Sequence, residues 1–414
     1  MHNKKKLGVI FIWGSLFFLF TSIVFGVIGI HSNLLVKKIL WYIVIGIGIL
    51  SLILLLVGIL LVRKKKWRRN FKKWQLIVVS LFISLYILGC SGFLFILYGP
   101  IDTFRNWLIT TAMGTMSHQY LCQWFYSTDE INTVLGDNYI DAGDAETDAS
   151  LIDHKETIHY ANEYEKQILE RNKNDLYKVI TFEVNGVKAY LAAVYDASKI
   201  SVGYSKWLHT SGQYIYDMAK EQNSVLTING GGFKDPGQSS KGADPIGVTI
   251  SNGKIITNEN IGGAYGVIGF NKDNTLVLKQ STSAQKLIDE GVRDAVTMAP
   301  FLIVNGKPSF VKGNGGWGVA ARTAIGQRKD GIVLFLVIDS NYNRTKGATM
   351  ADLVEIMQRY GAVNAANLDG GTSSVMVEKH GSGDSATYDM LNDPIDSANR
   401  HRTRGIPTIF KVVE

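Results

Sequence analysis

The chain has 414 residues, 43 Lys and Arg against 36 Asp and Glu, a formal net charge of +7 and 46% hydrophobic residues, which is too long for one average domain. The first hundred residues hold 13 of the basic residues and no acid, so the other 314 carry 30 basic and 36 acidic side chains, a balance of −6. Positive charge confined to an apolar segment argues for a membrane and against nucleic acid as a partner, and the two cysteines, Cys90 and Cys122, exclude a disulfide framework or a cysteine-based metal site.

Three uncharged apolar stretches open the chain, at residues 7–30, 39–62 and 76–99. Each exceeds the roughly 20 residues that a helix needs to cross a hydrocarbon core. The first is too long, and too closely followed by two more, to read as a cleaved signal peptide. Segment 63–73, RKKKWRRNFKK, is the most basic in the chain and is expected to stay cytoplasmic, in agreement with Lys4, Lys5 and Lys6. The same segment suits anionic lipid, although topology alone accounts for it. Loop 31–38 then lies outside, and everything after Pro100 is expected to be extracytoplasmic, on a multi-pass anchor in the cell membrane.

Residues 101–175 read as a connector. Phe104, Leu108, Ala112, Met116, Tyr120 and Trp124 recur every four residues, with Ile109, Met113, Leu121 and Phe125 beside them. This is a helical apolar stripe, suited to a membrane surface or to docking on the following domain. Residues 137–156 carry seven acids and one lysine and read as a solvated linker. Residues 157–175 are polar and helix-prone.

From residue 176 to 414 the signals are those of one mixed α and β domain. Asn185-Gly186, Asn252-Gly253 and Asn305-Gly306 each separate β-prone runs and predict hairpins. A short apolar strand at 225–228 ends in Asn229-Gly230-Gly231-Gly232-Phe233. Three successive glycines cost backbone entropy, so they mark either a flexible loop or one that meets a substrate. The spacing and the lysine of a phosphate-binding P-loop are absent. Ala321-Arg322-Thr323-Ala324-Ile325-Gly326 leads through a turn into 332–338, apolar enough to be buried on both faces, which ends at Asp339. Thr349 caps a helix with Asp352 in its first turn; Leu353, Ile356, Met357 and Tyr360 face inward and Gly361 stops it.

A strand at 365–368 then ends at Asp369, followed by Gly370-Gly371, Thr372, Ser373 and Ser374. Alone, such a stretch is an ordinary tight turn. Strand, helix, strand at this spacing is a βαβ unit, which makes the two strands parallel and puts Asp339 and Asp369 at one edge of the sheet. Two carboxylates about 5–10 Å apart are the usual equipment for breaking a glycosidic bond. The expected fold is therefore α+β: three N-terminal transmembrane helices (residues 1–100), the connector, and a mixed-sheet extracytoplasmic domain containing a βαβ unit.

Four segments together, INGGGF at 228–233, ARTAIG at 321–326, IDS at 338–340 and above all NLDGGTSS at 367–374, resemble the phosphodiester glycosidase family. The resemblance covers about 176–413. It implies a hydrolase acting between a sugar anomeric carbon and a phosphodiester, with a cell-surface glycopolymer or its precursor as substrate and partner. It implies Asp369, Asp339 and Arg322 as catalytic residues, and Asn229, Gly230, Gly231, Gly370, Gly371, Ser373 and Ser374 as substrate-binding. Family members often have Asp-Gly-Arg where this chain has Asp339-Ser340-Asn341, so either Arg344 supplies that arginine or the substrate differs. A further glycine also precedes Phe233. No metal site or cofactor is demanded, although a divalent cation between the two aspartates is compatible with the sequence. Oligomeric state is open. His401-Arg402-Thr403-Arg404 is a basic segment that could reach phosphate and otherwise reads as solvated. Two other readings stand beside the enzyme: a non-catalytic glycopolymer-binding accessory of wall or exopolysaccharide assembly, and a structural membrane protein whose glycine loops only turn the chain.

Overall fold

The computed structural model describes residues 2–62, 73–115, 118–143, 146–155, 160–234, 241–261, 265–343, 345–395 and 400–414. The chain divides into two units, residues 1–136 and 137–414. The expected cytoplasmic loop lies almost entirely outside the described residues, as do Arg344 and Met116.

The first unit holds α1 (His2–His31), α2 (Leu34–Val62) and α3 (Lys73–Tyr98). Each contains a stretch long and apolar enough to cross a membrane: Val9–His31, Val36–Leu60 and Ile77–Tyr98. Polar side chains link these helices. Ser51 Oγ donates to the Ser15 carbonyl at 2.8 Å, Ser22 Oγ to the Val44 carbonyl at 3.0 Å, and the Thr21 and Tyr86 hydroxyls lie 2.8 Å apart. Where no water is at hand, such bonds satisfy hydroxyls and fix helix register.

The apolar stripe after Pro100 is broken into α4 (Asp102–Met113) and α5 (Tyr120–Gln123), followed by α6 (Thr128–Asp137). Gly114 ends the first piece. Ile109, Ala112, Cys122 and Tyr126 are buried together with Leu97. The Tyr126 hydroxyl donates to the Leu97 carbonyl, and that of Tyr98 to the Phe125 carbonyl. The stripe thus docks on the end of α3, within its own unit.

The second unit begins with β1 (Tyr139–Asp141) and α7 (Glu163–Leu169). A seven-stranded sheet has the order β13 (Lys307–Pro308), β12 (Phe301–Val304), β17 (Ala362–Asn367), β15 (Arg322–Arg328), β16 (Val333–Ile338), β3 (Val187–Val194), β2 (Tyr177–Val184). A five-stranded sheet runs β19 (Thr387–Met390), β18 (Met376–His380), β6 (Leu226–Asn229), β21 (Thr408–Val412), β4 (Ile200–Tyr204). A second five-stranded sheet runs β10 (Leu276–Gln280), β9 (Gly266–Asn271), β11 (Val292–Met298), β7 (Val248–Ser251), β8 (Lys254–Asn258). Two ribbons, β1 with β14 (Phe310–Lys312) and β5 (Gln213–Tyr214) with β20 (Gly405–Ile406), complete the described strands. The helices α8 (Ile215–Glu221), α9 (Ala284–Asp289) and α10 (Met350–Arg359) cover outer faces.

The three hairpin turns form as expected, with positive φ at both residues of each Asn-Gly pair. The expected doubly buried strand is β16. Val333, Phe335 and Val337 face the core shared with the two smaller sheets. Leu334, Leu336 and Ile338 face α7 and α10. Each such side chain contributes roughly 1.5–3 kcal/mol by leaving water. Thr349 and Asp352 form a reciprocal cap on α10, and Leu353, Ile356, Met357 and Tyr360 are buried beneath it.

Two features differ from the expectation. Every pairing between named strands of these sheets is antiparallel; β16 and β17 do run parallel, but β15 lies between them and pairs with both. The acidic stretch after Asp137 is strapped to the domain where it is described. Tyr139 pairs with Lys312, Thr147 N–H donates to the Leu278 carbonyl, and Asp148 N–H donates to Asn305 Oδ1. These main-chain bonds hold a segment that has few large apolar residues of its own.

Candidate functional site

The strand order decides the site. Because β15 is antiparallel to both neighbours, the carboxyl ends of β16 and β17 flank its first residue, Arg322. Arg322 pairs with Ile338, just before Asp339, and Ala324 pairs with Asn367, two residues before Asp369. The two aspartates therefore stand on next-nearest strands, whose spacing is about 10 Å, with a guanidinium-bearing residue between them in strand order.

Asn229, at the end of β6, ties this edge to the neighbouring sheet. It is 1% exposed. Its Nδ2 donates to the Asp369 carbonyl at 2.7 Å, and its Oδ1 accepts from Thr323 Oγ1 at 2.7 Å and from Val375 N–H at 3.2 Å. The side chain expected to hold substrate is a brace, bonded to the protein through both its amide nitrogen and its oxygen.

The three glycines after it have a packing reason. A Cβ at Gly230 would lie 2.6 Å from Thr408 Oγ1, one at Gly231 2.7 Å from the Thr297 carbonyl, and one at Gly232 2.9 Å from Met298. Thr297, Thr408 and the side chains of Ile246 and Met298 already fill the space that side chains at these three positions would need. Gly230 and Gly231, expected to contact substrate, are both buried.

Arg322 is 4% exposed. Its Nε donates to the Ala348 carbonyl at 3.2 Å, and its Nη2 to the carbonyls of Trp317 and Gly318 at 2.6 and 2.8 Å. A guanidinium expected to grip phosphate directly is thus engaged with the scaffold, drawing residues 317–318 and the entry to α10 to the sheet edge. A Cβ on Gly370 would lie 3.1 Å from the Ala321 carbonyl and 3.6 Å from Arg322 Nη1, so the bare turn passes close against the guanidinium.

The turn after Asp369 is tight. Gly371 has φ +64°, a conformation that disfavours a side chain, and its N–H donates to the Ala321 carbonyl. Asp369, Gly370, Gly371 and Thr372 are half-buried, whereas Ser373 and Ser374 are buried. Among the described residues Ser374 Oγ has no hydrogen-bond partner, an uncommon state for a buried hydroxyl.

Asp339 is 8% exposed. Its Oδ1 accepts from Asn392 Nδ2 at 2.9 Å and from Asp393 N–H at 3.2 Å. Burial pushes its carboxyl above the ordinary carboxylate range, and the neighbouring Asp393 adds to this; the two hydrogen bonds and the Lys188 charge oppose it. The Tyr190 phenol is raised likewise, by burial and by both aspartates. Asn341, which stands where the family often has arginine, closes its own loop, accepting from Lys346 N–H at 2.8 Å and donating to Thr345 at 2.9 Å. Among the described residues no cluster of three or more His, Cys, Asp or Glu is arranged to hold a metal ion.

Three residues at this edge escaped the sequence reading, Tyr190, Asn392 and Asp393, and His401 entered it only as part of a basic segment. Asn392 Nδ2 also donates to the Ser374 carbonyl at 2.9 Å, and His401 Nδ1 lies 2.8 and 2.7 Å from the two Asp393 carboxylate oxygens. Asn392-Asp393-Pro394 reads locally as a turn, so no signal marked it.

Residues 222–413 match the family model described as phosphodiester glycosidase. The SPbeta prophage-derived uncharacterized protein YomE of Bacillus subtilis (strain 168) is 28% identical over 173 residues, which cover 40% of this chain. The match spans about a quarter of that relative's length, 26%. Among solved structures, the zebrafish N-acetylglucosamine-1-phosphodiester alpha-N-acetylglucosaminidase catalytic domain, auto-inhibited by its pro-peptide, is 22% identical with a TM-score of 0.48, over 59% of this chain and 86% of that one. A Synechocystis protein of solved structure is 12% identical with a TM-score of 0.39, over 57% of this chain and 61% of that one. The matched segment runs from the end of α8 to β21 and contains Asn229, Arg322, Asp339, Asp369 and Asp393. Residues 222–413 form a domain of the phosphodiester glycosidase family.

Proposed function

We propose that the chain is a membrane-anchored hydrolase that cleaves the bond between a sugar anomeric carbon and a phosphodiester oxygen, on the outer side of the membrane. Water adds to the anomeric carbon, the bond from that carbon to the phosphate oxygen breaks, and a free sugar and a phosphomonoester leave. The observation that carries this reading is the common sheet edge of Asp339, Arg322 and Asp369 within the matched domain.

Asp369 is the half-buried carboxylate of the pair and the one placed to face a reacting carbon, as base or nucleophile. Asp339, more deeply buried, holds its proton to higher pH and serves as the second carboxyl. Arg322 contributes a permanent positive charge at the edge from its fixed position. The main-chain N–H of Gly370, at the half-buried start of the turn, is suited to a sugar or phosphate oxygen. The acidic second unit, tethered to three apolar helices with a basic segment between the second and third, suits a glycopolymer substrate at the cell surface.

The test is release of free sugar from a sugar-1-phosphodiester by the full-length chain in detergent. Asp369→Asn should fold normally and lose about a hundredfold or more in kcat. Binding of a phosphate-bearing glycan without turnover by the unaltered chain would replace this reading with that of a non-catalytic accessory.

A further inference from the structure

The rim of the candidate site is closed by a ring of contacts that starts at the Asp369 turn and returns to it. Thr372 Oγ1 donates to the Ile395 carbonyl at 3.3 Å. Ile395 and His401 pair across an isolated antiparallel bridge. The His401 ring meets the Asp393 carboxylate, Asp393 N–H meets the Asp339 carboxylate, and Asn392 joins Asp339 to the Ser374 carbonyl, five residues past Asp369.

We propose that His401 is the residue that takes the proton from the attacking water, and that Asp393 is its positioning residue. A carboxylate only accepts hydrogen bonds, so the neutral ring must carry its hydrogen on Nδ1, facing Asp393. That leaves the Nε2 lone pair turned away from Asp393, and no described residue bonds to it. The side chains of His401 and Asp393 are 64% and 61% exposed, so water and substrate reach them, whereas Asp339 and Arg322 are nearly closed to solvent. In the step itself the water oxygen bonds to the anomeric carbon while its proton passes to Nε2. The electron pair of the bond to phosphate leaves with the phosphate oxygen, and the imidazolium returns its proton to solvent. Asp369 is then free to face the carbon and stabilise the positive charge that develops there. The second orphan of the site, the buried Ser374 hydroxyl beside Asn392, fits a rim that is completed only when substrate or water is present.

This inference rests on the glycosidase reading, and the experiment separates the two. If the unaltered full-length chain releases no sugar from a sugar-1-phosphodiester, the parent reading fails. If it is active, His401→Ala should lower kcat at least about a hundredfold with little change in KM. Added imidazole should restore part of the lost rate, which a purely structural histidine does not allow. Asp393→Leu should lower kcat in the presence of His401 and add nothing in the His401→Ala background, since it acts only through the ring. His401→Ala with unchanged kcat, or a loss that imidazole leaves untouched while His401→Gln retains activity, overturns the proposal. Equal additional loss from Asp393→Leu in both backgrounds overturns the role given to Asp393.

Discussion

The side-chain amide of Asn229 donates to the main-chain carbonyl of Asp369 at 2.7 Å, across 140 residues of sequence. Through its Oδ1, which accepts from both, Asn229 also holds Thr323 and Val375, so one buried side chain fastens β6 to the strand bearing Arg322 and to both ends of the Asp369 turn. Asn229→Ala removes three hydrogen bonds, two of them buried and one to the partly buried Asp369 carbonyl. At about 1 kcal/mol or more for each, the loss should reach roughly 3 kcal/mol. Thermal unfolding of the full-length chain measures it, and an unchanged midpoint would show that the brace is idle.

Asp339 predicts a trade of stability against activity. Its folded carboxyl is raised above its ordinary value of 3.8 by burial. The folded chain therefore holds this proton more tightly than the unfolded one. The stability it contributes is full below about pH 3.8 and is lost as pH rises through the folded value. At neutral pH the buried carboxylate destabilises. Asp339→Asn, whose Oδ1 can still accept from Asn392 and Asp393 N–H, should unfold at the same or a higher temperature at pH 7 while losing sugar release. The gain should shrink as pH falls through the folded carboxyl's value and vanish below about pH 3.8, the unfolded value. A lower midpoint at pH 7 would contradict the sign.

Arg322→Lys should be destabilising without any ligand present. An ammonium is a single point donor and cannot span carbonyls at Trp317, Gly318 and Ala348 as the planar fork does. The expected loss is on the order of 2 kcal/mol, from buried carbonyls left unmatched. Equal unfolding midpoints for the two chains would mean that the clamp contributes little, and would return Arg322 to a direct role on phosphate.

Gly231→Ala tests the packing account of the glycine run. The added methyl would meet the Thr297 carbonyl at 2.7 Å, so β11 or the loop must shift. The cost should be about 1–3 kcal/mol. Full stability in the variant would favour a loop with room to move.

Much of the architecture is legible locally. Three uncharged stretches of spanning length, three Asn-Gly turns, the doubly buried β16, the capped α10 and the strand before Asp369 all rest on composition, backbone sterics and periodicity within about 30 residues. These also place Asp339 and Asp369 on one edge, because a strand-helix-strand crossover leaves its two strands parallel whatever lies between them. Strand order is not local. That β15 inserts between β16 and β17, and so sets Arg322 between the aspartates, follows from which apolar faces close the core.

Nor does a residue's type reveal what will surround it. Asn229 and Arg322 are polar enough to meet a ligand, yet burial engages them with carbonyls and hydroxyls of distant segments. Asp393 and His401 read as surface residues until the turn at Thr372 brings their segment against Asp339. The chain alone thus specifies an α+β protein with three helices long and apolar enough to cross a membrane and an acidic sheet edge. Only tertiary packing, which sums contacts between segments tens to hundreds of residues apart, decides which of its polar groups brace that edge and which remain open to solvent.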